Sequence, residues 1–433
     1  MQLMTSIPFK RGMPLIGNVI PFVRDLLHYP LRLYHELGPV YRMAIPTYDP
    51  VFVFDCDALR DIFEKQHRFF KKSPDYTTLK LTLGNGLLTN DGPTWKPIRQ
   101  LIQPVLFDSG IQAFIRITNQ HVMRWTESVT PQTPINLHTT IKRLTLGIAT
   151  EAFFGSPVDQ MGIDTPKLVD DLNRLGAIKM RFPRHLIPYW MPTPLHLQLR
   201  SIIAKIDREI YRHLDNPNPE TGTLLHLFLR HPGLSDTEKR DELITFLIAG
   251  YETTANSMMA ILALLATHPD VQNQVRDEVD FHDLDAIAFK SWRTQLPFLH
   301  ATIQESLRLY PPAWIMGRQS KMDVAIGDYH IQRGTNVIVD TYVLHRIPEY
   351  WPKPNDFKPD RFMTALADKM MYLPFGAGPR ICIGQHMAMI ELTTMIHTLL
   401  RQFKILPAQS TITPSPMVTL TPAKPLSITM VRR

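Results

Sequence analysis

Cys382 is one of only two cysteines in this 433-residue chain, and it lies in the glycine-rich run FGAGPRICIG. The other cysteine, Cys56, is far from it in sequence, and neither belongs to a CxxC or CxxCH motif. A disulfide framework is therefore excluded, and neither structural zinc nor covalently attached haem is expected. Four interpretations of Cys382 remain: an inert core thiol, a catalytic nucleophile, a redox sensor, or the lone protein ligand of a metal centre.

The residues around Cys382 favour a thiolate. Apolar residues at alternating spacings of three and four predict an amphipathic helix that begins near Gly384: Met389, Leu392, Ile396, Leu399 and Phe403. A helix N-terminus and the nearby Arg380 both favour negative charge, so we expect a lowered pKa for the Cys382 thiol. Gly376, Gly378 and Gly384 would let the backbone fold closely around the sulfur.

A long stretch of low charge, residues 243–269, predicts the longest helix. Ser235 and Glu238 match a capping box at its start, and Pro269 marks its end, which gives about 34 residues or roughly 50 Å. Because the stretch carries an acidic residue and several hydroxyls, it predicts a buried helix rather than a membrane span.

The middle of this helix, AGYETTA, is unusual for a helix interior. Gly250 lowers helix propensity and would admit a flat group, and Thr253 can bond its hydroxyl to a carbonyl of the preceding turn. Glu252 has no cation one turn away in either direction, so its carboxylate is either solvent-facing or functional. Taken alone, the segment is more typical of a packing glycine beside ordinary threonines.

Two further pairs could bind or balance charge. In QESLRLYPP, Glu305 and Arg308 share a face of a helix that ends at the prolines. In WKPIR, Trp95 and Arg99 present an indole N–H and a guanidinium to the same side, which suits a carboxylate. In isolation these pairs are more typical of a surface ion pair and an exposed cation–π contact.

Composition limits the classes of function. The chain has 47 Lys and Arg against 40 Asp and Glu, a net charge of +7, and these residues are dispersed without interleaved aromatics. Nucleic-acid binding is therefore not expected, whereas a basic face for an acidic protein partner is plausible. No linker or repeat divides the chain, so we expect one compact unit.

The periodicity predicts a mainly α protein with a smaller β region. Strands are expected within 39–46 and 51–55, helices dominate from about 56 to 310, and extended segments return within 322–341, with turns at Gly327 and Gly334. The tail after 405 predicts a short strand pair. Prolines interrupt the N-terminal segment of about 1–25, which is expected to be neither a signal peptide nor a transmembrane anchor.

Together these motifs resemble the cytochrome P450 family of haem-thiolate monooxygenases. FGAGPRICIG resembles its cysteine signature, AGYETT its oxygen-activation segment, ESLR its Glu-x-x-Arg, KPDRF its Pro-x-Arg-Phe and WKPIR its Trp-x-x-x-Arg. The order and spacing agree from about residue 8 to the C-terminus. The resemblance implies a single cytochrome P450 domain over 1–433, with haem between the long central helix and the cysteine-loop helix.

The resemblance also implies roles for individual residues. Cys382 would be the axial thiolate ligand of haem b. The acid–alcohol pair that delivers protons during oxygen activation would be Glu252 and Thr253. The other residues that touch haem would be Phe375 near the sulfur, Ala249 and Gly250 over the distal face, and Trp95, Arg99, Arg318 and Arg380 at the propionates. A structural set behind the haem would be Glu305, Arg308 and Arg361.

The implied reaction inserts one oxygen atom from O2 into an apolar, lipid- or terpenoid-like substrate. Electrons would come from a ferredoxin or flavodoxin with its reductase, because the chain shows no flavin or nicotinamide domain. The GxG at Gly84 and Gly86 lacks the third glycine of a dinucleotide fingerprint. We expect a soluble, cytoplasmic monomer with an apolar pocket that includes Leu79, Leu83, Leu87 and Ile248.

Three alternatives stay open. A haem-thiolate peroxygenase or isomerase would share the fold without needing the acid–alcohol pair. A haem-thiolate gas sensor would keep Cys382 and lack a substrate pocket. A cysteine-nucleophile hydrolase is a distant third, because no histidine is evidently placed as its base.

Overall fold

The structure is a computed structural model that describes residues 6–46, 48–107, 110–156, 165–180, 187–215, 222–284 and 288–433. In this part of the chain the helices are α1 Val19–Arg24, α2 Tyr29–Leu37, α3 Cys56–Arg60, α4 Tyr76–Leu83, α5 Trp95–Phe107, α6 Ile111–Ser128, α7 Leu137–Phe154, α8 Thr165–Met180, α9 Pro194–Leu214, α10 Leu224–Leu229, α11 Asp236–Thr267, α12 Pro269–Phe281, α13 Trp292–Gln295, α14 Pro297–Leu309, α15 Thr341–Leu344 and α16 Gln385–Gln402. The strands are β1 Phe9–Lys10, β2 Val40–Met43, β3 Val51–Val53, β4 Phe70–Lys72, β5 Pro134–Asn136, β6 Ile315–Ser320, β7 Val324–Ile326, β8 Tyr329–Ile331, β9 Asn336–Asp340, β10 Phe403–Gln409, β11 Pro414–Pro416, β12 Leu420–Pro422 and β13 Ser427–Arg432. The mainly α prediction with a smaller β region is confirmed.

The long helix α11 is the centre of the main core. The predicted capping box is present: Glu238 N donates to Ser235 Oγ at 3.3 Å, and Ser235 N donates to Glu238 Oε2 at 2.9 Å. The helix runs for 32 residues, about 48 Å, and Pro269 opens the next helix. It is buried on nearly every side, which is expected of a helix that crosses the middle of a domain.

Helix α16 begins directly after the cysteine loop, with Gly384 as its N-cap, as predicted. An amphipathic helix would leave one face exposed. This expectation is wrong, because polar side chains such as Glu391, Thr394 and His397 are also buried. Helices α6, α11, α12 and α14 pack around α16 and cover that face. The cysteine loop is therefore followed by a helix held firmly inside the protein.

The larger sheet brings together strands from the first third and the last third of the chain. Its strand order is β1-β2-β3-β9-β6-β4, in which β3 runs parallel to β9 and β6 is antiparallel to both of its neighbours. The pairing of β4 with β6 sets Lys72 opposite Arg318. A second core lies between this sheet and helices α2 and α3.

The C-terminal tail forms a three-stranded sheet in the order β10-β13-β5. The predicted strand pair is β10 and β13, which run antiparallel from Phe403 and Arg432. The third strand, β5, comes from residues far earlier in the chain, so the prediction of a simple pair is incomplete. In the described part of the chain, no helix combines the length and apolar character needed to cross a membrane.

Candidate active site

The loop before α16 holds Cys382 by backbone contacts. Cys382 N donates to the carbonyl of Phe375 at 2.9 Å, and this closes the loop below the sulfur. Gly378 has a φ of +69°, and a Cβ there would lie 1.8 Å from the carbonyl oxygen of Phe63. Glycine is required at that position for both reasons.

The Cys382 thiol is deep in the protein yet accessible. Burial raises its pKa above the usual value, although the Gly384 N–H and the Arg99 charge oppose that rise. The expected lowering of this pKa is wrong, and Arg380 turns instead to the carbonyl of Asn90 at 2.9 Å and to the carboxylate of Asp91. Cys382 is nevertheless exposed.

This environment separates the four interpretations of Cys382. Nucleophilic and redox-sensing thiols need a lowered pKa, whereas a metal ion deprotonates its thiol ligand directly. An exposed cysteine is not an inert core thiol, so the exposure and the raised pKa of Cys382 favour a ligand of a bound metal centre. Within the described ranges no group of three or more His, Cys, Asp and Glu side chains could hold a metal ion.

The middle of helix α11 has one partly accessible segment. From Arg240 to Ala266 every residue is buried except Ala249, Gly250 and Thr253. Thr253 Oγ1 donates to the carbonyl of Ala249 at 2.7 Å, as predicted. These three partly exposed residues interrupt the buried middle of the helix.

The close approach expected at Gly250 is made by a protein side chain. A Cβ on this residue would lie 3.0 Å from the ring of Phe153 on α7. The flat group next to Gly250 is therefore that phenylalanine ring. Contact of Gly250 with haem stays a proposal.

Glu252 is buried, with 3% of its surface exposed, which contradicts a solvent-facing carboxylate. Asn173 Nδ2 on α8 donates to its Oε2 at 2.5 Å. Burial raises the pKa of Glu252 to about 7, although Lys142 and a hydrogen bond with Thr419 act in the opposite direction. A carboxyl with this pKa can take up and release a proton near neutral pH.

Polar side chains connect the surroundings of Glu252 with the surface. Lys142 pairs with Asp170, and the Tyr251 hydroxyl donates to the same carboxylate at 3.3 Å. His138 Nε2 lies 3.6 Å from Asp170 Oδ2, and its side chain is 39% exposed. The sequence motif contains none of these partners except Tyr251, so it could not predict this connection.

Trp95 lies close to two guanidinium groups. Arg380 is centred 4.2 Å from its ring and Arg99 is centred 5.7 Å away. Burial lowers the pKa of both arginines, because it removes part of the solvent around their positive charges. Trp95, Arg99 and Arg380, which the resemblance assigns to the propionates, therefore lie close together, and that assignment stays a prediction.

A fourth cation, Lys72, joins this group and was missed from the sequence. Its ammonium donates to the carbonyl of Leu88, and its strand partner is Arg318. Burial lowers the pKa of Lys72 well below its usual value, and the charges of Arg318 and Arg380 lower it further. We call Lys72, Arg99, Arg318 and Arg380 the cation cluster. Asp91 pairs with Arg380, and the other positive charges of the cluster suit a ligand that carries carboxylates.

Glu305 and Arg308 form a fully buried ion pair. Both side chains are 0% exposed, with Arg308 Nε 2.7 Å from Glu305 Oε2. Glu305 Oε1 also accepts from Arg361 Nε at 3.2 Å and from Lys358 N at 2.9 Å. Arg308 donates to the carbonyl of Pro354, so the pair ties α14 to the proline-rich segment before the cysteine loop.

The loop that contains the GxG motif donates backbone hydrogen bonds to two carboxylates of α11. In loop 84–90, Asn85 N donates to Asp241 Oδ2 at 2.7 Å and Leu87 N donates to Glu242 Oε2 at 3.1 Å. A Cβ at Gly86 would lie 2.3 Å from the hydroxyl of Thr245, so the loop approaches α11 too closely for a larger residue. This contact, also missed from the sequence, fastens the loop to the N-terminal half of the central helix.

Comparisons with known proteins agree with this geometry. A family model described as "Cytochrome P450" matches residues 7–430. The chain is 27% identical to cytochrome P450 3A9 of Rattus norvegicus, over 99% of this chain and 92% of that protein. It is 28% identical to cytochrome P450 4d2 of Drosophila melanogaster, over 93% of this chain and 89% of that protein. The family match includes the cysteine loop, α11 and the cation cluster.

Proposed function

This chain belongs to the cytochrome P450 family, and from that premise we propose that it inserts one oxygen atom from O2 into an apolar substrate between Cys382 and Thr253. Members of this family bind haem and are monooxygenases, so the chain is an enzyme with haem as its cofactor. The observation that carries the proposed site is the exposure of Cys382 directly before the largely buried helix α16. We further propose that residues 1–433 form a single domain.

The residues of the site fit haem b. Cys382 would bind the iron, with Phe375 beside the sulfur and with Ala249 and Gly250 on the distal side. When bound, haem supplies the oxygen-activating and oxygen-transfer chemistry. The cation cluster and the Trp95 N–H would hold the two propionates, which would supply the negative charge that Lys72 and its neighbours lack.

The protein's own chemical contribution is proton delivery. Because the Thr253 hydroxyl donates to Ala249 O, its oxygen lone pairs are left to orient a proton donor in the accessible space. Glu252, with a pKa of about 7, would pass protons inward, and Asp170 and His138 would connect its surroundings to solvent. A peroxide-driven reaction would not need these groups, which is why we favour the O2-dependent reaction.

The remaining assignments rest on composition. We propose a lipid- or terpenoid-like substrate because Leu83, Leu87 and Ile248 are apolar residues next to the accessible segment and loop 84–90.

We propose a ferredoxin or flavodoxin as electron donor, because a net charge of +7 suits an acidic partner. Exposed Lys96, beside Trp95, is a candidate contact for it. A cytoplasmic location is proposed because both cysteines are unpaired.

The two cysteines provide the test. The reduced, carbon-monoxide-bound protein is expected to show the red-shifted Soret band of thiolate ligation, and Cys382→Ala is expected to abolish it. Cys56→Ala is the matched control and should keep the band. If Cys382→Ala kept this spectrum, the ligand assignment would be overturned.

A further inference from the structure

A cavity of about 190 Å³ lies between helices α5, α6, α7, α10 and α16. We call it the side cavity. Each of these helices contributes a buried apolar residue to its wall: Leu106, Phe114, Phe153, Leu224 and Met387. Because an apolar cavity of about 150 Å³ is large enough to bind benzene, the side cavity has room for an aromatic ring and a short polar group.

The mouth of the side cavity is polar. Two residues of α6 that line it, Arg116 and Gln120, are exposed. Arg116 forms neither a hydrogen bond nor an ion pair with any residue that the structure describes. Its guanidinium N–H groups are therefore free to bind a ligand.

The charges at the side cavity favour an anion. Among the described residues of its lining, Glu151 is the only acid, and its Oε2 accepts from His121 Nε2 at 2.7 Å and lies 3.8 Å from Arg124 Nη2. Burial lowers the pKa of His121, so the ring is neutral at neutral pH and donates this bond. The charge that remains unpaired at the cavity is the positive charge of Arg116.

We propose that the side cavity binds a small aromatic carboxylic acid and that this ligand is an effector of the reaction site. The aromatic ring packs against Phe114 and Phe153, because aromatic rings attract one another in edge-to-face and offset geometries. The carboxylate accepts hydrogen bonds from Arg116, since a planar guanidinium matches the two oxygens of a carboxylate.

Phe153 connects the side cavity with the reaction site. Its ring lies 3.0 Å from the position of a Cβ on Gly250, and its centroid lies 5.8 Å from that of Phe246. Both of these partners belong to α11, and Gly250 is in the partly accessible segment of that helix. A ligand that packs against Phe153 restricts its ring and thereby alters binding beside Gly250. The effector role, unlike the binding site, rests on the proposed function.

Binding is tested by calorimetry with benzoate, phenylacetate and phenylpropionate. Each acid is compared with its amide, which has nearly the same shape and no charge. We expect the preferred acid to bind at least about fivefold more tightly than its amide, and Arg116→Gln should reduce this ratio to within about twofold. Arg208→Gln is the matched control, because Arg208 is an exposed arginine of α9 outside the cavity, and it should keep the full ratio.

A variant that fills the side cavity tests where the acid binds. Ala113 of α6 lines the cavity and is partly exposed, so Ala113→Leu adds bulk to the cavity and keeps Arg116. It should weaken binding of the preferred acid at least about tenfold. No binding of any acid to wild-type protein, equal binding of acids and amides, or unchanged binding in both Arg116→Gln and Ala113→Leu would overturn the binding site.

The effector role is measured with phenylimidazole, whose nitrogen binds haem iron directly and shifts the haem band. A saturating concentration of the preferred acid should change the affinity for phenylimidazole at least about twofold in wild-type protein and leave it unchanged in Ala113→Leu. An unchanged affinity in wild-type protein that binds the acid by calorimetry would overturn the effector role. The carbon-monoxide spectrum, recorded on the same samples, shows independently whether the haem-thiolate assignment holds.

Discussion

The Thr253 hydroxyl combines two properties at one point of α11. Its hydrogen is directed to Ala249 O at 2.7 Å, and the residue is one of the few on this helix that are accessible. An oxygen whose hydrogen is already committed can only accept further bonds from the accessible side. The geometry therefore suits Thr253 to orient a proton donor rather than to donate its own proton.

Thr253→Ala is expected to uncouple the reaction. Haem binding, the substrate-induced spin shift and electron uptake should be nearly unchanged, whereas the protonation that precedes oxygen insertion should slow by about 10² to 10⁴. The measurement is product formed per reductant consumed, with released hydrogen peroxide quantified alongside.

Thr254→Ala is the matched control, because the Thr254 hydroxyl makes the same kind of bond, to Gly250 O at 2.9 Å, but is buried. It should keep normal coupling. Unchanged coupling in Thr253→Ala would remove the Thr253 hydroxyl from the mechanism.

At the scale of elements, the buried pair of Glu305 and Arg308 joins α14 to the segment that leads into the cysteine loop. Glu305→Ala would leave the charge of Arg308 without its carboxylate, at a cost of about 3 to 5 kcal/mol in the free energy of unfolding. We expect little haem-loaded soluble protein from this variant, measured by haem absorbance per protein and by denaturant unfolding.

Asp171→Ala is the control for that prediction. Asp171 pairs with Arg174 at the same spacing of three residues, but its side chain is 33% exposed and that of Arg174 is 55% exposed. This loss should change the free energy of unfolding by less than about 1 kcal/mol. Similar behaviour of the two variants would show that Glu305 has no special structural role.

Loop 84–90 gives a second prediction at this scale. In Gly86→Ala the added methyl would meet Thr245 Oγ1 at 2.3 Å and Asp241 O at 2.5 Å, so the loop must move away from α11. We expect a loss of about 1 to 3 kcal/mol in the free energy of unfolding and weaker substrate binding in the spin-shift assay.

Gly176→Ala is the control for Gly86→Ala. Gly176 lies inside α8, and its added methyl would come no closer than 3.7 Å to Val418. This change should be neutral or stabilising by up to about 1 kcal/mol. If Gly86→Ala matched it, loop 84–90 would not be fastened to α11 in the way described.

Local patterns predicted the elements better than the contacts between them. The capping box at Ser235 and the helix after Cys382 were predictable because each depends on residues a few positions apart. The contact of Lys72 with the cation cluster depends on the pairing of β4 with β6, which lies outside local periodicity. The predicted direction of the Cys382 pKa shift was also wrong. Burial is set by the whole fold, and it raises this pKa by more than the nearby helix terminus lowers it.

At the scale of the whole molecule, several carboxyl groups are buried with raised pKa values. Besides Glu242 and Glu252, burial raises the pKa of Asp340 to about 8. Asp340 Oδ1 accepts from Val343 N at 3.0 Å, while its Oδ2 has no partner among the described residues. The folded protein therefore keeps protons that the unfolded chain would release above a pH of about 4.

Asp340→Asn tests this linkage. Stability from a carboxyl with a raised pKa is fully present below pH 4 and is lost as the pH rises through 8, so wild-type protein should weaken over that interval. Asparagine can make the same bond to Val343 N without a proton to lose. As pH rises, the free energy of unfolding of the variant should therefore increase relative to that of wild type, by up to about 1.4 kcal/mol per pH unit. Denaturant unfolding at pH 5, 6, 7 and 8 measures this difference. Parallel curves for the two proteins would contradict the raised pKa.

Three consecutive residues of α11 fasten three parts of the fold. Arg240 bonds Asp207 of α9 and the carbonyl of Thr82, Asp241 accepts from Asn85, and Glu242 accepts from Leu87. Because Asp241 and Glu242 lie on one turn of α11, we expect loop 84–90 to lose both of these bonds together when it leaves the helix. A ligand that passes this way would then enter through rare openings of the whole loop, and we expect its association rate to saturate with ligand concentration rather than rise in proportion to it.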